Sequence, residues 1–370
     1  MIPLSLYVHF PWCVRKCPYC DFNSHEADDV LPQEQYINAL EADLQRELTY
    51  VHGREIKSIF LGGGTPSLFS PESIEELLSR LKKHLVFSDD IEITLEANPG
   101  TTDYGKFAGY FAAGVNRLSI GVQSFTDRQL NMLGRIHSKD DAHRAFATAC
   151  EAGFTNINLD LMHGLEQQSV QDGLFDLQQA IDLDPAHISW YQLTIEPNTL
   201  FYKNPPRLPS EDDLWKIYAS GIELLYQHGY EQYEVSAFSQ PGRRSRHNLN
   251  YWEFGDYLGI GAGAHGKLTV DGKVHRRAKT RLPRDYLAGQ RVTETTVSED
   301  ELALEFLMNS LRLNHGFDLS LFSQRTGLDT VVLQPFLKKA IQRNLIAMND
   351  QHIAPTALGM QYLNDLLALV

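Results

Sequence analysis

Three of the four cysteines of this 370-residue chain stand within eight residues of one another. Cys13, Cys17 and Cys20 form the pattern CxxxCxxC, and thiolates at such spacing bind either a zinc ion or an iron–sulfur cluster. A structural zinc needs a fourth protein ligand, which His9 or His25 would have to supply. A four-iron cluster on three thiolates instead keeps one iron free for a small molecule that carries an amine and a carboxylate.

The cysteine loop follows the first of six apolar segments that are typical of β-strands. The predicted strands cover residues 5–10, 56–62, 91–97, 117–123, 156–162 and 187–193, and a further strand-like stretch covers 231–238. A helical pattern follows each of the six, and helical crossovers connect parallel strands. We therefore expect an α/β fold with a partial (β/α)6 barrel, and a doubly wound sheet is the alternative.

The ends of the six predicted strands carry the residues that could do chemistry. They are the cysteine loop, the GGGTP sequence at 62–66, Glu96, Gln123, Asp160 with His163, and Gln192 with Glu196. In a parallel barrel these positions lie on one rim, where loops build the active site. A single polar residue at a strand end is more often solvated than functional, so the prediction of a site depends on the shared rim.

Composition and charge exclude several classes of protein. The 47 acidic side chains outnumber the 33 basic ones, and the formal charge of −14 argues against a general nucleic-acid binder. No run of about 20 apolar residues predicts a transmembrane helix. The first residues show neither a basic segment nor a cleavage site, so we expect a cytoplasmic protein. Cys150 is expected to be a buried apolar residue on a helix.

The sequence changes character after residue 240. We expect residues 1–240 to form the partial barrel, 241–297 a connector with a Gly-rich segment at 255–266, and 298–370 a small, mostly helical domain. The order of the last elements is typical of a winged-helix-like module. Seven acidic and five basic side chains give residues 300–370 a net charge of −2, which favours packing or partner docking over DNA binding.

The segment YVHFPWCVRKCPYC resembles the signature loop of the radical S-adenosylmethionine (SAM) enzymes. More narrowly, the chain is similar to the oxygen-independent coproporphyrinogen III dehydrogenase group. The similarity continues through LGGGTPSLF, LEANPG, NRLSIGVQSF, LGRIHS, NINLDLMHGL and DYLGIGAGAHG, and so covers essentially the whole chain. This resemblance implies a [4Fe–4S] cluster on Cys13, Cys17 and Cys20, with SAM as the molecule beside it.

The resemblance also implies which residues contact SAM. They are Gly63, Gly64 and Thr65 at the methionine end, Arg135 for the carboxylate, Glu96 for the positive charge, Gln123 and Asp160 for the ribose, Tyr7 at the border, and Phe22 near the adenine. Glycines allow a close approach of the backbone, and arginine can hold a carboxylate through two parallel hydrogen bonds.

Phe22 separates two branches of this family. In the dehydrogenases the loop resembles CxxxCxxCxC, with a fourth cysteine two residues after the third, and a long segment precedes the loop. Here that position is Phe22, and the loop begins at Tyr7. Both departures match the sister branch, the haem chaperones, which keep the radical SAM scaffold and transfer haem to recipient proteins. Whether the chain is also an enzyme stays open.

The stretch HNLNYW at 247–252 supports the chaperone branch, because HNxxYW is associated with haem binding in those proteins. His247 would supply an imidazole for the iron, and Tyr251 and Trp252 would supply flat apolar area for the macrocycle. Three arginines between 243 and 246 would pair with the propionates. His265 is a second candidate ligand. The alternative is that His247 is an ordinary loop histidine and that the aromatic residues belong to the core.

Three functions therefore stay open at the level of the sequence. The predicted one is binding and transfer of haem as cargo, with recipient haem proteins as partners, some of them at membranes, and with an electron donor for the cluster. The second is a radical enzyme that abstracts hydrogen from a porphyrinogen propionate. The third is a zinc-stabilised βα protein of unknown role.

Overall fold

The structure, a computed structural model, describes residues 1–28, 30–100, 105–289 and 291–370. Its strands are β1 (Leu4–Phe10), β2 (Trp12–Cys13), β3 (His25–Glu26), β4 (Ile56–Gly63), β5 (Phe87–Ala97), β6 (Arg117–Gln123), β7 (Ile157–His163), β8 (His187–Gln192), β9 (Glu231–Glu234), β10 (Ala237–Ser239), β11 (Asp256–Ile260), β12 (His265–Val270), β13 (Lys273–Lys279), β14 (Val292–Thr296), β15 (Phe317–Asp318), β16 (Ile346–Asn349) and β17 (His352–Pro355). Its helices are α1 (Gln33–Glu47), α2 (Pro71–His84), α3 (Phe107–Ala112), α4 (Asp127–Met132), α5 (Lys139–Glu151), α6 (Val170–Asp182), α7 (Leu200–Lys203), α8 (Glu211–Gln227), α9 (Arg246–Trp252), α10 (Pro283–Ala288), α11 (Glu299–Ser310), α12 (Leu319–Thr326), α13 (Gln334–Gln342), α14 (Ala357–Gln361) and α15 (Leu363–Leu367).

One mixed sheet organises most of the chain. Its strand order is β14-β13-β12-β11-β1-β4-β5-β6-β7-β8-β10-β9, and the seven strands from β11 to β8 run parallel. The six predicted strands correspond to β1 and to β4 through β8, so the predicted α/β partial barrel is confirmed. The predicted stretch at 231–238 forms β9 and β10, which flank β8 as an antiparallel pair.

The segment 241–297, expected as a connector, has a larger role in the structure. β11 pairs in parallel with β1, and β12, β13 and β14 extend the sheet beyond it. Its glycines serve close packing of the backbone: a Cβ on Gly259 would lie 2.0 Å from the carbonyl oxygen of His265. The Gly-rich composition therefore reflects a tight β11–β12 turn and not a flexible link.

Side chains of the parallel strands alternate between a core and an enclosed polar space. Along β6, Leu118, Ile120 and Val122 are fully buried in the apolar core, whereas the odd-numbered residues from Arg117 to Gln123 line the enclosed side. Burial of each such aliphatic side chain contributes about 1.5–3 kcal/mol. The apolar half of each strand thus anchors the sheet under its helices and holds the polar half in place.

The C-terminal residues form a module with its own core. Helices α11, α12 and α13 pack with a three-stranded sheet of order β15-β17-β16, as predicted for a winged-helix-like unit. The module contacts the barrel where Leu313 bridges Glu234 at the end of β9.

The expectation for Cys150 is wrong. This cysteine is exposed on α5, whose buried face is formed by Ala142, Ala145, Phe146 and Ala149. Each residue of a helix is rotated by about 100° from its neighbour, and this rotation turns Cys150 away from the face to which Ala149 belongs. Among the residues described, none of the helices combines the length and the apolar character that a membrane crossing requires.

Candidate functional site

A cavity of about 500 Å³ opens between the cysteine loop and the enclosed face of the sheet. Most of the residues predicted for the site lie on its wall. They are Cys13, Cys17, Cys20, Phe22, Gly63, Gly64, Thr65, Glu96, Gln123, Arg135, Asp160 and Trp252. Among the described residues, the wall includes neither Tyr7 nor His247 nor Tyr251.

The three cysteines of the loop are half-buried and free of disulfides. Burial raises the pKa of the Cys13 thiol and of the Cys20 thiol, so neither is a thiolate at neutral pH without a cation nearby. Cys17 Sγ accepts a hydrogen bond from Arg135 Nη1 at 3.5 Å. Three thiols on one cavity wall, with a cationic donor beside one of them, fit the three ligands of an iron–sulfur cluster.

The two histidines that a zinc site would need differ in how far they are engaged within the protein. His9 is buried, and its two ring nitrogens lie 2.8 Å from Tyr7 Oη and 2.8 Å from the Asn23 carbonyl. His25 lines a second cavity of about 200 Å³ together with Cys20, and its Nε2 is buried with no hydrogen-bond partner among the described residues. In the part of the chain that the structure describes, no three His, Cys, Asp or Glu side chains are grouped to hold a single metal ion. The hydrogen bonds of His9 argue against it as a zinc ligand, whereas those of His25 do not.

Arg135 faces the cluster end of the cavity with one donor unused. Its Nη2 donates to Asn98 Oδ1 at 2.6 Å and to the Gly121 carbonyl at 2.8 Å. Its Nε is buried and has no acceptor among the described residues. A carboxylate in the cavity would supply that acceptor, as predicted for the methionine end of SAM. Asn98 also donates to Thr65 Oγ1 at 2.9 Å. It belongs to the site, although it was not predicted from the sequence.

The GGGTP segment is held against the cysteine loop through its backbone. Gly64 donates to the Phe10 carbonyl at 2.6 Å, and Thr65 donates to the Trp12 carbonyl at 2.7 Å. Gly63 has φ of 114°, and a Cβ there would lie 2.5 Å from the His9 ring. These glycines are required because the two loops pack closely. Their amides are therefore used within the protein, which differs from the expected role as donors to a cofactor.

Two carboxylates face the same cavity. Glu96 Oε2 accepts from the Gly63 amide at 2.9 Å, and burial together with the neighbouring Asp160 raises the pKa of Glu96 to about 8. Asp160 accepts from Ser119 Oγ and from Asn158 Nδ2, both at 2.8 Å, and burial raises its pKa as well. Because neither carboxyl group has a cation at contact distance in the part of the chain that the structure describes, a positively charged ligand would be stabilised here.

Gln123 holds a strained position at the end of β6. Its φ is 68°, in the left-handed region that residues other than glycine rarely adopt, and its Oε1 accepts from Tyr191 Oη at 2.7 Å. Strain of this kind persists where the surrounding structure fixes it, and it is frequent at binding sites. Gln123 and Tyr191 therefore form one rigid edge of the cavity.

Phe22 lies between the two cavities and contributes to the wall of both. Its side chain is 63% exposed, which is unusual for an aromatic residue in this chain. The position two residues after Cys20 therefore presents an apolar ring, and no thiol, to the space beside the cysteines.

Sequence reasoning missed a row of polar residues that line the deeper part of the cavity. They are Arg117 and Ser119 of β6, Asn158 of β7, and Ser189 and Tyr191 of β8. A signal for them exists in the sequence, because polar residues recur at every second position in strands that should be buried on both faces. The same alternation turns His163 away from the cavity, where it packs against Trp190 and Tyr218. Neither Gln192 nor Glu196 is among the described wall residues.

The HNLNYW segment forms helix α9, whose residues Asn248 and Trp252 line the cavity together with Arg117. We call this part of the cavity the inner end, and the part beside the three cysteines and Arg135 the outer end. Glu92 of β5 accepts the backbone amides of Arg246 and His247, at 3.2 Å and 3.1 Å, and so fixes the start of the helix. Asn248 and Trp252, four residues apart, lie on the cavity wall. His247 and Tyr251, also four residues apart, face the sheet instead. The motif is thus divided between two faces of one helix.

His247 is only 4% exposed. Its ring stacks on Phe60 with centroids 4.7 Å apart, and Tyr251 packs edge-on at 4.8 Å. Burial lowers the pKa of His247 to about 3, so the imidazole is neutral. Tyr7 lies in the same layer, with its ring against Phe60. His265, by contrast, is exposed at the start of β12.

Two of the three arginines at 243–246, and also Trp252, have partners within the protein. Arg246 pairs with Asp90 at 2.6 Å, and Arg244 approaches Glu231 at 3.5 Å. The guanidinium of Arg312, from the C-terminal module, lies 4.3 Å from the centre of the Trp252 ring and 3.1 Å from Glu234. The C-terminal module therefore supports the inner wall of the cavity.

Comparison with known proteins identifies the family. A family model described as the radical SAM superfamily matches residues 7–177, and one described as the HemN C-terminal domain matches residues 297–362. Proteins named heme chaperone HemW are 50% identical over 373 residues in Haemophilus influenzae and 49% identical over 369 residues in Escherichia coli. The alignments cover 99% of this chain, and 97% and 98% of those proteins. A heme chaperone HemW of Bacillus subtilis is 35% identical, with 96% of both chains covered.

A solved structure confirms the architecture. The coproporphyrinogen III oxidase HemN of Escherichia coli, described as a radical SAM enzyme, superposes with a TM-score of 0.83 at 24% identity, over 100% of this chain and 90% of that one. At this identity the likeness shows the fold alone. The family is shown by the match to the radical SAM model and by relatives that are 35–50% identical over nearly the whole chain. The chain belongs to the radical SAM superfamily and, within it, to the family of proteins named heme chaperone HemW.

Proposed function

We propose that the protein binds haem and transfers it to recipient haem proteins, on a scaffold that carries a [4Fe–4S] cluster and SAM. The similarity to relatives named heme chaperones over 99% of the chain supports this function. The observation that carries it against a porphyrinogen dehydrogenase is Phe22, whose exposed ring stands where the dehydrogenase loop resembles CxxxCxxCxC. The dehydrogenase alternative is favoured only by the likeness of fold to HemN.

The residues at the outer end of the cavity suit the proposed cofactors. Cys13, Cys17 and Cys20 would hold the cluster, which when bound supplies an iron open to the amine and carboxylate of SAM. The free Nε of Arg135 would donate a hydrogen bond to that carboxylate. Glu96, fixed by the Gly63 amide, would face the positive charge. Gln123 and Asp160 would contact the ribose and Phe22 the adenine.

For haem we propose the inner end of the cavity, where Trp252 offers an aromatic surface. Tyr251 and His247 would join this site only after α9 moves from the sheet, because both pack on its other face. The exposed His265 is the alternative iron ligand, although it lies on β12 and not on α9. The proposed role further assumes a cytoplasmic protein, an electron donor for the cluster, and recipients that include proteins at membranes.

Two measurements on one anaerobically reconstituted sample test the function. We expect haemin to bind, followed by its visible spectrum, and we expect no turnover of coproporphyrinogen III under reducing conditions. Turnover of the porphyrinogen would overturn the proposal in favour of the dehydrogenase. A preparation that contains zinc without iron and sulfide would overturn both.

The iron ligand is tested by a pair of variants, His247→Ala and His265→Ala. Loss of the haemin spectrum in one of them assigns the ligand to that histidine. An unchanged affinity and spectrum removes the substituted histidine from the role. Because His247 is buried, circular dichroism must first show that the His247→Ala protein is folded.

A further inference from the structure

Arg117, at the start of β6, is a buried cation that no described residue neutralises by contact. It is 2% exposed and lies on the cavity wall. Its Nη1 is 3.5 Å from Thr94 Oγ1, at the limit of a hydrogen bond, and its Nε has no acceptor in the described ranges. It takes part in none of the ion pairs within 4.0 Å found among the described residues. A buried charge without partners is costly, so its presence calls for a compensating group.

The carboxyl groups on the same wall form no ion pair with Arg117 among the described residues, although its positive charge acts on Glu96 and Asp160 and opposes the rise of their pKa. Glu234 is paired with Arg312, Glu96 accepts from the Gly63 amide, and Asp160 accepts from two neighbouring side chains. Burial raises the pKa of all three carboxyl groups, and to about 8 for Glu96. The Glu234 carboxylate is in addition paired with the Arg312 guanidinium.

Arg117 and the arginine at the cluster end meet β6 at different positions. Arg135 donates to the Gly121 carbonyl, and Gly121 lies four residues after Arg117 on the strand. At about 3.3 Å per residue these two backbone positions are about 13 Å apart along the strand. The two arginines thus belong to separate parts of the cavity wall.

Other hydrogen-bond donors lie on the wall at the same inner end. Asn248 and Trp252 of α9 line it, and the buried indole Nε1 of Trp252 has no acceptor in the described part of the chain. Arg117 Nε and Trp252 Nε1 are among several buried side-chain donors without an acceptor in the described residues, and both residues lie on the wall of one cavity. A ligand with two adjacent acceptor oxygens matches a guanidinium best.

We propose that the inner end of the cavity is a carboxylate-binding subsite with Arg117 as its principal donor and with Asn248 and Trp252 beside it. The chemistry of the subsite follows from these donors alone. That the carboxylate is a propionate of haem rests on the proposed function, since haem bound near Trp252 would bring its propionates to this end.

The source of the carboxylate is tested by comparing haemin with iron protoporphyrin IX dimethyl ester, which lacks free carboxylates. A charge-assisted contact predicts that the reconstituted wild-type protein binds haemin roughly 10- to 100-fold more tightly than the ester. In Arg117→Gln the ratio should fall to about one, whereas Arg117→Lys should keep part of it. The matched control Arg284→Gln, at an exposed arginine of α10, should keep the full ratio. Equal weakening of both ligands in Arg117→Gln would overturn the assignment to a propionate.

A second measurement needs no haem and keeps the two proposals apart. Sodium propionate should raise the Tm of the wild-type protein relative to sodium chloride at the same ionic strength, and Arg117→Gln should lack this rise. Without ligand, Arg117→Gln should melt no lower than the wild type, because the substitution removes an unpaired buried charge. Failure of haemin to bind the wild type would overturn the proposed function alone. Absence of the propionate effect in the wild type, or a large fall of Tm in Arg117→Gln, would overturn the subsite.

Discussion

The two ends of one cavity differ in how far their functional groups are already engaged within the protein. At the outer end three thiols are half-buried on the wall, and Arg135 keeps a free Nε. At the inner end His247 is 4% exposed and is stacked on Phe60. The outer end is thus formed for a ligand as it stands, whereas the histidine of the inner end is not.

The difference arises from the type of element that carries each motif. The cysteines and the glycines lie where β1 and β4 end, and Arg135 lies in the loop between α4 and α5; all of them face the cavity at the rim of the sheet. HNLNYW belongs to a helix that packs on the sheet, and a helix directs side chains at i and i+4 to one side. Half of that motif must therefore serve packing, while the other half reaches the cavity.

The largest expected effect is loss of the cluster from the outer end. Cys17→Ala removes one of the three thiols, so we expect iron and sulfide contents after reconstitution to fall to background. Cys150→Ala, at an exposed cysteine outside the site, should keep the wild-type contents. Metal and sulfide analysis with visible absorption checks this. A full complement of iron and sulfide in Cys17→Ala would contradict the three-cysteine site.

The next effect concerns packing at the inner end. His247→Ala removes a ring held between Phe60 and Tyr251, and we expect the free energy of unfolding to fall by about 2–3 kcal/mol. His265→Ala, at an exposed histidine, should change it by no more than about 0.5 kcal/mol. Urea denaturation measures both. Equal stabilities of the two variants would show that α9 is not packed as described.

The same pair gives a pH test. Burial lowers the pKa of His247 from 6.5 to about 3, so its contribution to stability is complete above pH 6.5 and is lost as the pH falls towards 3. The difference in stability between the wild type and His247→Ala should therefore shrink between pH 7 and pH 5. A constant difference over this range would contradict a neutral, buried imidazole.

A smaller effect is expected at Glu96. Glu96→Gln removes the carboxylate that faces the proposed cation, and SAM affinity should fall about tenfold. Because the pKa of Glu96 is about 8 in the free protein, wild-type affinity should rise from pH 7 to pH 9, and the variant should lack this rise. Isothermal titration calorimetry measures both. Glu151→Gln, at an exposed glutamate, is the control and should follow the wild type.

Glu96 also has a consequence for stability that is opposite in sign to that of His247. Its pKa is raised from 4.5 to about 8, so the folded protein holds its proton longer, and stability is lost as the pH rises through this interval. Without SAM, Glu96→Gln should gain stability relative to the wild type from pH 5 to pH 8. If the stability of Glu96→Gln relative to the wild type instead increased as the pH falls from 8 to 5, Glu96 would not be a buried, protonated carboxyl group.

The smallest effect is expected at Phe22. Since this ring is 63% exposed, Phe22→Ala should change the free energy of unfolding by no more than about 0.5 kcal/mol. Loss of aromatic contact should still weaken SAM binding roughly two- to tenfold. Val14→Ala, at a 55% exposed residue of the same loop, should alter neither quantity. Wild-type SAM affinity in Phe22→Ala would remove Phe22 from the site.

The sequence by itself determined the strands, the loops after them and the positions of the cysteines. These features follow from local rules: strand residues alternate between two faces, and parallel strands end on a common rim. This pattern predicted Glu96, Gln123 and Asp160 on one rim, the family resemblance added Phe22 and Arg135, and all five line the cavity.

Only the tertiary structure decided which groups at the inner end are open and which are covered. Contacts between residues far apart in the chain place β11 beside β1, turn His247 of α9 to the sheet, and leave Arg117 Nε without an acceptor among the described residues. Local periodicity fixes which residues share a face, but the partner that the face meets is set by the packing of the whole sheet. The functional groups of the rim could thus be predicted from the sequence, whereas those exposed at the inner end could not.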